Sequence, residues 1–136
     1  MAQLTVNLVT PSRDIAHLQV DQVTAPSAKG EVGILPDHLP LLAQLDPGVV
    51  GLFKDGQPTF YAVSGGFLEV NQNTVDILAD TAESAQEIDV KRSEKALAEA
   101  ESNLKSLDCL SDEYAEEQAR AGRARIRLQV AATKGN

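Results

Sequence analysis

The stretch VVGLFKDGQPTFYAV, residues 49–63, holds two apolar runs on either side of a short polar connection. Residues 49–53 and 60–63 are apolar, and Lys54-Asp55-Gly56-Gln57 joins them. An Asp-Gly pair is typical of a type I′ turn, because both central residues of that turn need positive φ. The stretch therefore predicts a β-hairpin.

The same two-residue periodicity extends outward from this hairpin, over residues 3–78. Apolar and polar residues alternate at Leu4, Val6 and Leu8, at Leu18 and Val20, and at Val70, Val75 and Ile77, where Asn71-Gln72-Asn73 makes another tight connection. Short alternating strands with turns every 8–12 residues or so are typical of a sandwich or barrel.

The periodicity becomes helical after Ala85. Ser84 with Glu87, or Asp89 alone, is the candidate N-cap. A narrow apolar seam follows on the first helix, at Val90, Leu97, Ala100, Leu104 and Leu107, and a line of mostly small residues on the second, at Ala115, Ala119, Gly122, Ile126 and Val130. Residues 108–112 connect the two. We therefore predict an α+β chain, with an antiparallel β-sandwich over 1–86 and an antiparallel two-helix hairpin over 87–136.

Composition excludes several classes of function. The 136 residues carry a formal net charge of −8, which argues against binding to nucleic-acid phosphates. Two His and one Cys leave too few ligands for a zinc site of His and Cys, and Cys109 has no partner for an internal disulfide. We expect a soluble protein, since no apolar run is long enough to span a bilayer.

Three local patterns invite a catalytic or ligand-binding interpretation. Asp37 and His38 could form an acid–base pair, but adjacent residues of an extended segment point apart, so a solvated turn or a partner-contact loop is the competing interpretation. Ser64-Gly65-Gly66 lacks the spacing of a dinucleotide fingerprint and suits a close backbone approach or a bulge. Cys109 has no basic neighbour and is expected to be inert.

Arginines are concentrated late in the second helix, at Arg120, Arg123, Arg125 and Arg127. Their planar guanidinium groups suit oxyanions, so three interpretations stay open. The arginines form a solvated face, bind an acidic protein surface, or bind a nucleotide.

Two motifs resemble the signatures of F-type ATP synthase epsilon subunits. Residues 30–41, GEVGILPDHLPL, are similar to the family pattern G-E-x-G-I-L-P-x-H-x-P-L, and residues 64–70, SGGFLEV, resemble its second signature. The opening Val9-Thr10-Pro11 and the closing hairpin extend the resemblance over essentially the whole chain.

The resemblance implies a ten-stranded sandwich that couples a rotor. It implies that the sandwich binds the gamma subunit and the c-subunit ring, with contacts from Glu31, Gly33, Ile34, Leu35, Pro36 and His38. It further implies a regulatory hairpin that inhibits ATP hydrolysis by the alpha/beta hexamer through Arg120, Arg123 and Arg127. The competing hypothesis is a generic sandwich adaptor with a partner-binding hairpin.

Some bacterial relatives bind ATP through an I/L-D-x-x-R-A motif, and the resemblance implies a weak regulatory site at Glu83, Ile88, Asp89, Arg92, Arg123 and Arg127. Ser93 stands where that motif has Ala, and Glu99 occupies a position that is basic in the best binders, so we expect weak or absent ATP binding. No catalytic residue, metal or obligatory cofactor is expected. The expected location is peripheral, on the cytoplasmic face of a bacterial plasma membrane, with a thylakoid membrane as the alternative and membrane contact only through the complex.

Overall fold

A computed structural model describes residues 2–133. The chain divides into two compact units between Ser84 and Ala85, two residues before the boundary expected from the sequence. The first unit holds all ten strands, and the second holds two helices. The predicted α+β architecture of a β-sandwich followed by a helical hairpin is confirmed.

The strands of the first unit are short and joined by tight connections. They are β1 Leu4–Val9, β2 Asp14–Val20, β3 Gln22–Ser27, β4 Gly30–Ile34, β5 Leu41–Leu45, β6 Gly48–Lys54, β7 Gln57–Val63, β8 Gly66–Asn71, β9 Thr74–Ala79 and β10 Ala82–Ser84.

Hydrogen bonds link these strands in the order β10-β7-β6-β3-β5-β8-β9-β1-β2, with β4 on β3. Adjacent strands pair antiparallel except β1 and β9, which run parallel with Thr5 opposite Thr74 and Val9 opposite Leu78. The alternation in the sequence specifies which face of a strand is buried but not the direction of its neighbour, so this parallel pair was not predicted.

The core of the sandwich consists of aliphatic side chains from alternate positions of the strands. Its largest fully buried members are Leu4, Val6, Leu8, Val20, Val23, Ile34, Val50, Leu52, Leu68, Val70, Val75 and Ile77. Each aliphatic side chain removed from water contributes about 1.5–3 kcal/mol, so the core stabilises the unit without large aromatic residues.

Both predicted tight turns are confirmed by positive backbone angles. Asp55 and Gly56 have φ of 53° and 76° between β6 and β7, and Gln72 and Asn73 have 49° and 61° between β8 and β9. Two consecutive left-handed residues define the type I′ hairpin connection.

The second unit contains α1 Val90–Ser106 and α2 Asp112–Ala131. Of the two candidate caps for α1, Asp89 is the N-cap, and its carboxylate accepts the Arg92 N–H at 3.0 Å. Ser111 caps α2 by accepting the Tyr114 N–H at 3.1 Å.

The buried face of the hairpin agrees only partly with the predicted seam. On α1, Ala100 is fully buried, and Leu97, Leu104 and Leu107 are half-buried as expected. Val90 is exposed instead, because as the first helical residue it lies at the open end of the hairpin, and Ser93 is buried.

The apolar line predicted on α2 needs a correction. Val130 is buried and Gly122 and Ile126 are half-buried as expected, but Ala115 and Ala119 are exposed. Ala121 and Ala124 are buried instead. Small residues occur on several sides of this helix, so the pattern of apolar residues does not identify one buried face.

Candidate partner-contact sites

The connection between β4 and β5 is a fixed turn. The His38 N–H donates to the Leu35 carbonyl oxygen at 3.2 Å, with Pro36 second in the turn and Asp37 third at φ 67°. Proline second and a positive φ third are the features of a type II β-turn. We call residues 35–39 the contact turn.

The contact turn and β4 hold the residues expected to meet the rotor. Glu31, Gly33 and Leu35 are exposed, and Pro36 and His38 are half-buried. Ile34 is a correction, because its side chain is 0% exposed and belongs to the core of the sandwich. It is the last residue of β4, and strand alternation directs its side chain inward while its neighbours face outward.

One exposed residue of this turn was missed from the sequence. Leu39 is 79% exposed and Leu35 is 56% exposed, so the contact turn carries an exposed leucine at each of its ends. The signal that could have found Leu39 is its place between two turn-forming residues, His38 and Pro40, where a core residue is not expected.

The polar atoms of the contact turn have partners that do not suit an acid–base pair. The Asp37 N–H donates to Asn73 Oδ1 at 2.6 Å, and Asn73 Nδ2 donates to Asp37 Oδ1 at 3.3 Å. His38 Nδ1 donates to the Leu39 carbonyl oxygen at 2.6 Å. These bonds fix the loop and do not join Asp37 to His38, so the two side chains do not form an acid–base pair in this arrangement.

A second exposed apolar surface lies on the outer face of the sandwich. Leu42 of β5, Phe67 of β8 and Leu78 of β9 border a shallow depression of ≈ 300 Å³. Leu42 is 73% exposed, and Phe67 and Leu78 are both more than half exposed. This apolar face was not predicted from the sequence, although each residue occupies an outward position next to an inward one and is therefore out of phase with the core.

Polar side chains form one rim of this apolar face. Asn7 Nδ2 donates to Asp76 Oδ1 at 2.9 Å, and both residues line the depression. His17 Nδ1 donates to Asn7 Oδ1 at 2.9 Å, and its Nε2 lies 3.3 Å from Asp14 Oδ2. This row of bonds crosses three adjacent strands and orients Asn7 and Asp76 beside the apolar residues.

The arginines of α2 differ in their surroundings. Arg120 Nη2 donates to Glu99 Oε2 on α1 at 2.8 Å, and Arg120 Nη1 lies 3.6 Å from Glu117 Oε2. The hydrogen bond that Arg120 donates to Glu99 raises the pKa of Arg120. Arg123 is exposed and Arg127 is half-buried, and the three share one side of the helix by their spacing of three and four residues.

The residues of the expected ATP site have other structural roles or lie apart in the chain. Glu83 is in the first unit, and Ile88, Asp89, Arg92, Arg123 and Arg127 are in the second. Ile88 is buried, and the Asp89 carboxylate caps α1. Glu99 forms an ion pair with Arg120.

Residues 2–133 contain neither a cluster of metal ligands nor a helix suited to span a membrane. That part of the chain brings together no group of His, Cys, Asp or Glu side chains suited to a metal ion. Neither of its helices is long and apolar enough to cross a membrane. Cys109 is exposed in the connection between α1 and α2.

A sandwich with two exposed apolar surfaces, followed by an arginine-bearing hairpin, has the features of a subunit that binds other proteins. Residues 3–85 match the family described as ATP synthase, Delta/Epsilon chain, beta-sandwich domain. The chain therefore belongs to the ATP synthase epsilon chain family, as the following relatives also show.

The relatives match over nearly the full length. The ATP synthase epsilon chain of Herpetosiphon aurantiacus is 45% identical over 133 residues, covering 98% of this chain and 97% of its own. That of Anaeromyxobacter dehalogenans strain 2CP-1 is 43% identical over 128 residues, covering 94% and 97%. A chain in the Euglena gracilis mitochondrial ATP synthase, solved as OSCP/F1/c-ring in rotational state 1, is similar with a TM-score of 0.83 and 29% identity, covering 97% of this chain and 82% of that one.

Proposed function

We propose that this chain is a non-catalytic rotor subunit that couples the catalytic sector of an ATP synthase to its c ring and restrains ATP hydrolysis through its hairpin. The observation that carries the proposal is the pair of exposed leucines, Leu35 and Leu39, held in a turn of fixed conformation. Family membership and the similarity to a chain of the Euglena OSCP/F1/c-ring complex support it.

The contact turn is the surface for the c ring. Leu35 and Leu39 supply apolar area, and Glu31, Gly33, Pro36 and His38 provide a polar and conformationally fixed border. Exposed apolar side chains in a preorganised turn lose little conformational entropy on binding, which favours a stable contact.

The apolar face around Leu42, Phe67 and Leu78 is the surface for the gamma subunit. Its acidic and amide neighbours Glu69, Asp76 and Asn7 give it the polar rim of a protein interface. Binding of the ring at the contact turn and of gamma at this apolar face lets one sandwich hold both partners, which coupling of rotation requires.

The hairpin is the inhibitory part, and Arg120, Arg123 and Arg127 are its contacts with acidic loops of the alpha/beta hexamer. Four of the five buried residues of α1 and α2 are small, namely Ser93, Ala100, Ala121 and Ala124, and the fifth is Val130. Burial of the small side chains contributes less than burial of large aliphatic ones. A weakly held helical unit is suited to rearrange when a partner competes for it.

ATP is at most a weak ligand of this chain. The Glu99 carboxylate would repel phosphate groups, and Asp89 is already engaged as a helix cap. Isothermal calorimetry on the full chain without metal tests this directly, and a submicromolar dissociation constant would contradict it. The chain acts in the complex, at the cytoplasmic face of a bacterial plasma membrane.

The test uses an ATPase sector depleted of its epsilon chain. ATP hydrolysis is titrated with the full chain and with a version that ends at Ile88, close to the division between the two units. We expect both to bind and only the full chain to inhibit. Binding by neither version would overturn the rotor assignment. Equal inhibition by both would mean that the hairpin does not cause the restraint.

Arginine variants then test the inhibitory contact. The double variant Arg123→Ala/Arg127→Ala is expected to weaken inhibition several-fold while the sandwich keeps its unfolding temperature. Arg125→Ala is the matched control, because Arg125 lies on the same helix and its ion pair with Glu101 is long, at 3.9 Å. Equal loss of inhibition in the control would mean that overall charge, and not these contacts, causes the restraint.

A further inference from the structure

The backbone of Asn73 is held by the β8–β9 hairpin and by a hydrogen bond from β1. It is the second residue of the β8–β9 turn, with φ 61°, and its carbonyl oxygen accepts the Thr5 N–H at 2.8 Å where β1 joins β9. Because its backbone is held at both places, Asn73 can fix the position of a residue that its side chain binds.

The Asn73 side chain holds Asp37, 36 residues earlier in the chain. Asn73 Oδ1 accepts the Asp37 N–H at 2.6 Å, and Asn73 Nδ2 donates to Asp37 Oδ1 at 3.3 Å. Asp37 occupies the third place of the contact turn at φ 67°, where Gly or Asn is usual. The two bonds offset the cost of this conformation for an aspartate.

We propose that Asn73 is a positioning residue for the contact turn, holding Leu35 and Leu39 in the conformation that binds the c ring. This inference rests on the proposed function of that turn. Neither motif of the sequence contains Asn73, and its role comes only from the contact that the fold creates with Asp37.

The physical basis is preorganisation. Leu35 and Leu39 lie within two residues of Asp37, so the backbone angles of Asp37 determine how the two side chains are spaced. Without the Asn73 side chain, Asp37 can leave the left-handed region, and the turn must be ordered again each time it binds. The contact then weakens although no contact residue has changed.

The clean variant is Asn73→Gly. Glycine adopts a positive φ freely, so the β8–β9 turn is kept while both side-chain bonds to Asp37 are lost. Gln72→Gly is the matched control, since Gln72 has φ 49° in the same turn and takes no part in the bonds to Asp37. Each variant is the full chain, added to an ATPase sector depleted of its epsilon chain.

Two readouts separate the c ring from the rest of the complex. The first readout is the affinity with which the ATPase sector rebinds to membranes from which it has been removed and which still contain c rings. ATP-driven proton pumping by the same membranes is measured with it. The second is inhibition of hydrolysis by the sector in solution, which has no c ring. We expect Asn73→Gly to weaken rebinding about 3- to 10-fold, the order expected for a hydrogen bond, and to leave inhibition in solution unchanged.

Exchange of the two side chains provides a rescue. In Asp37→Asn/Asn73→Asp the carboxylate accepts the N–H of residue 37, and the new amide donates back to it, so both bonds can form again. We expect rebinding to return to within about 2-fold of the original chain, whereas Asn73→Asp alone places two carboxylates together and stays weak. A merely structural role for Asn73 would lower the unfolding temperature and both readouts together.

Leu39→Ser distinguishes failure of this inference from failure of the proposed function. If Leu39→Ser weakens rebinding and Asn73→Gly does not, the turn binds the ring and Asn73 does not position it. If neither weakens rebinding, the ring contact lies elsewhere, and both proposals are overturned.

Discussion

Arg120 of α2 donates a 2.8 Å hydrogen bond from Nη2 to Glu99 Oε2 of α1, so the two helices of the hairpin are joined by a charge-assisted bond. Lys95 is also 4.0 Å from the other oxygen of Glu99. Arg120 is therefore occupied by its own hairpin in this arrangement. A partner that uses Arg120 must displace Glu99, so under the proposed inhibitory role the strength of this contact affects how readily the hairpin inhibits.

Glu99→Gln should strengthen inhibition of ATP hydrolysis. The substitution keeps the shape of the side chain but removes its charge, so Arg120 is released more easily to an acidic partner. Because exposed ion pairs are weak and screened by salt, the expected change is about 2-fold at low ionic strength. The measurement is the concentration of chain that halves hydrolysis by a depleted ATPase sector.

Glu101→Gln is the control for this prediction. Its ion pair with Arg125 is longer, at 3.9 Å, and involves no proposed inhibitory residue. Equal strengthening by both variants would show that the loss of one negative charge is sufficient and that Glu99 has no specific role.

Gly66→Ala should destabilise the sandwich severely. A Cβ on Gly66 would clash with the Leu78 carbonyl group and lie 2.9 Å from the Ala79 Cα, and Gly66 has φ 134°. An alanine must therefore move β9 or change its own backbone, and the strained conformation alone costs about 1–3 kcal/mol. Gly56→Ala is the comparison, because φ is 76° and no atom lies within 4 Å. Chemical denaturation should show a larger loss of unfolding free energy for Gly66→Ala than for Gly56→Ala. Equal losses would mean that the close approach of β9 to Gly66 does not add to the cost.

Acid should remove a stabilising contact at Asp21. The pKa of Asp21 is lowered from 3.8 by the Asp55 N–H, which donates to Oδ2 at 2.8 Å, and then by the Gln3 amide. A carboxyl whose pKa is lower in the folded state stabilises the fold above its unfolded pKa, and this contribution is lost as pH falls through the folded pKa. The unfolding temperatures of the original chain and Asp21→Asn should therefore differ near neutral pH and converge below about pH 4.

The control for the acid prediction is Asp80→Asn, at an exposed carboxyl between β9 and β10. This substitution removes one carboxylate elsewhere and leaves the two hydrogen bonds of Asp21 in place. A constant difference for Asp21→Asn over the whole range would show that the charge of Asp21 does not contribute to stability.

The parts of the fold that were predictable are those with local causes. The Asp55-Gly56 turn and the Asp89 cap are determined by neighbouring residues, and the alternation of Leu4, Val6 and Leu8 follows from the pleat of a strand. The parallel pairing of β1 with β9 and the bonds between Asp37 and Asn73 join distant parts of the chain, and no local pattern specifies them.

The candidate sites likewise combine features with local causes and features that depend on the fold. The motif around Ile34 was interpreted as a contact segment throughout, but strand alternation buries Ile34 and exposes its neighbours. A motif contains residues needed for packing as well as residues needed for contact, and only burial separates them. The apolar face of Leu42, Phe67 and Leu78 needed the register of three strands to be recognised.

Gly122→Ala should stabilise the hairpin. Gly122 lies inside α2, where a Cβ would meet no atom within 4 Å, so alanine fits without strain. Glycine is less favourable than alanine in a helix by about 0.8–1.0 kcal/mol, mainly because it loses more backbone entropy on folding. Amide hydrogen exchange of α2 should slow about 4- to 5-fold, the factor that corresponds to this free energy. Exchange in the sandwich should not change, since the substitution lies in the other unit. Unchanged or faster exchange in α2 would mean that Gly122 has a packing role that the open space around it does not reveal.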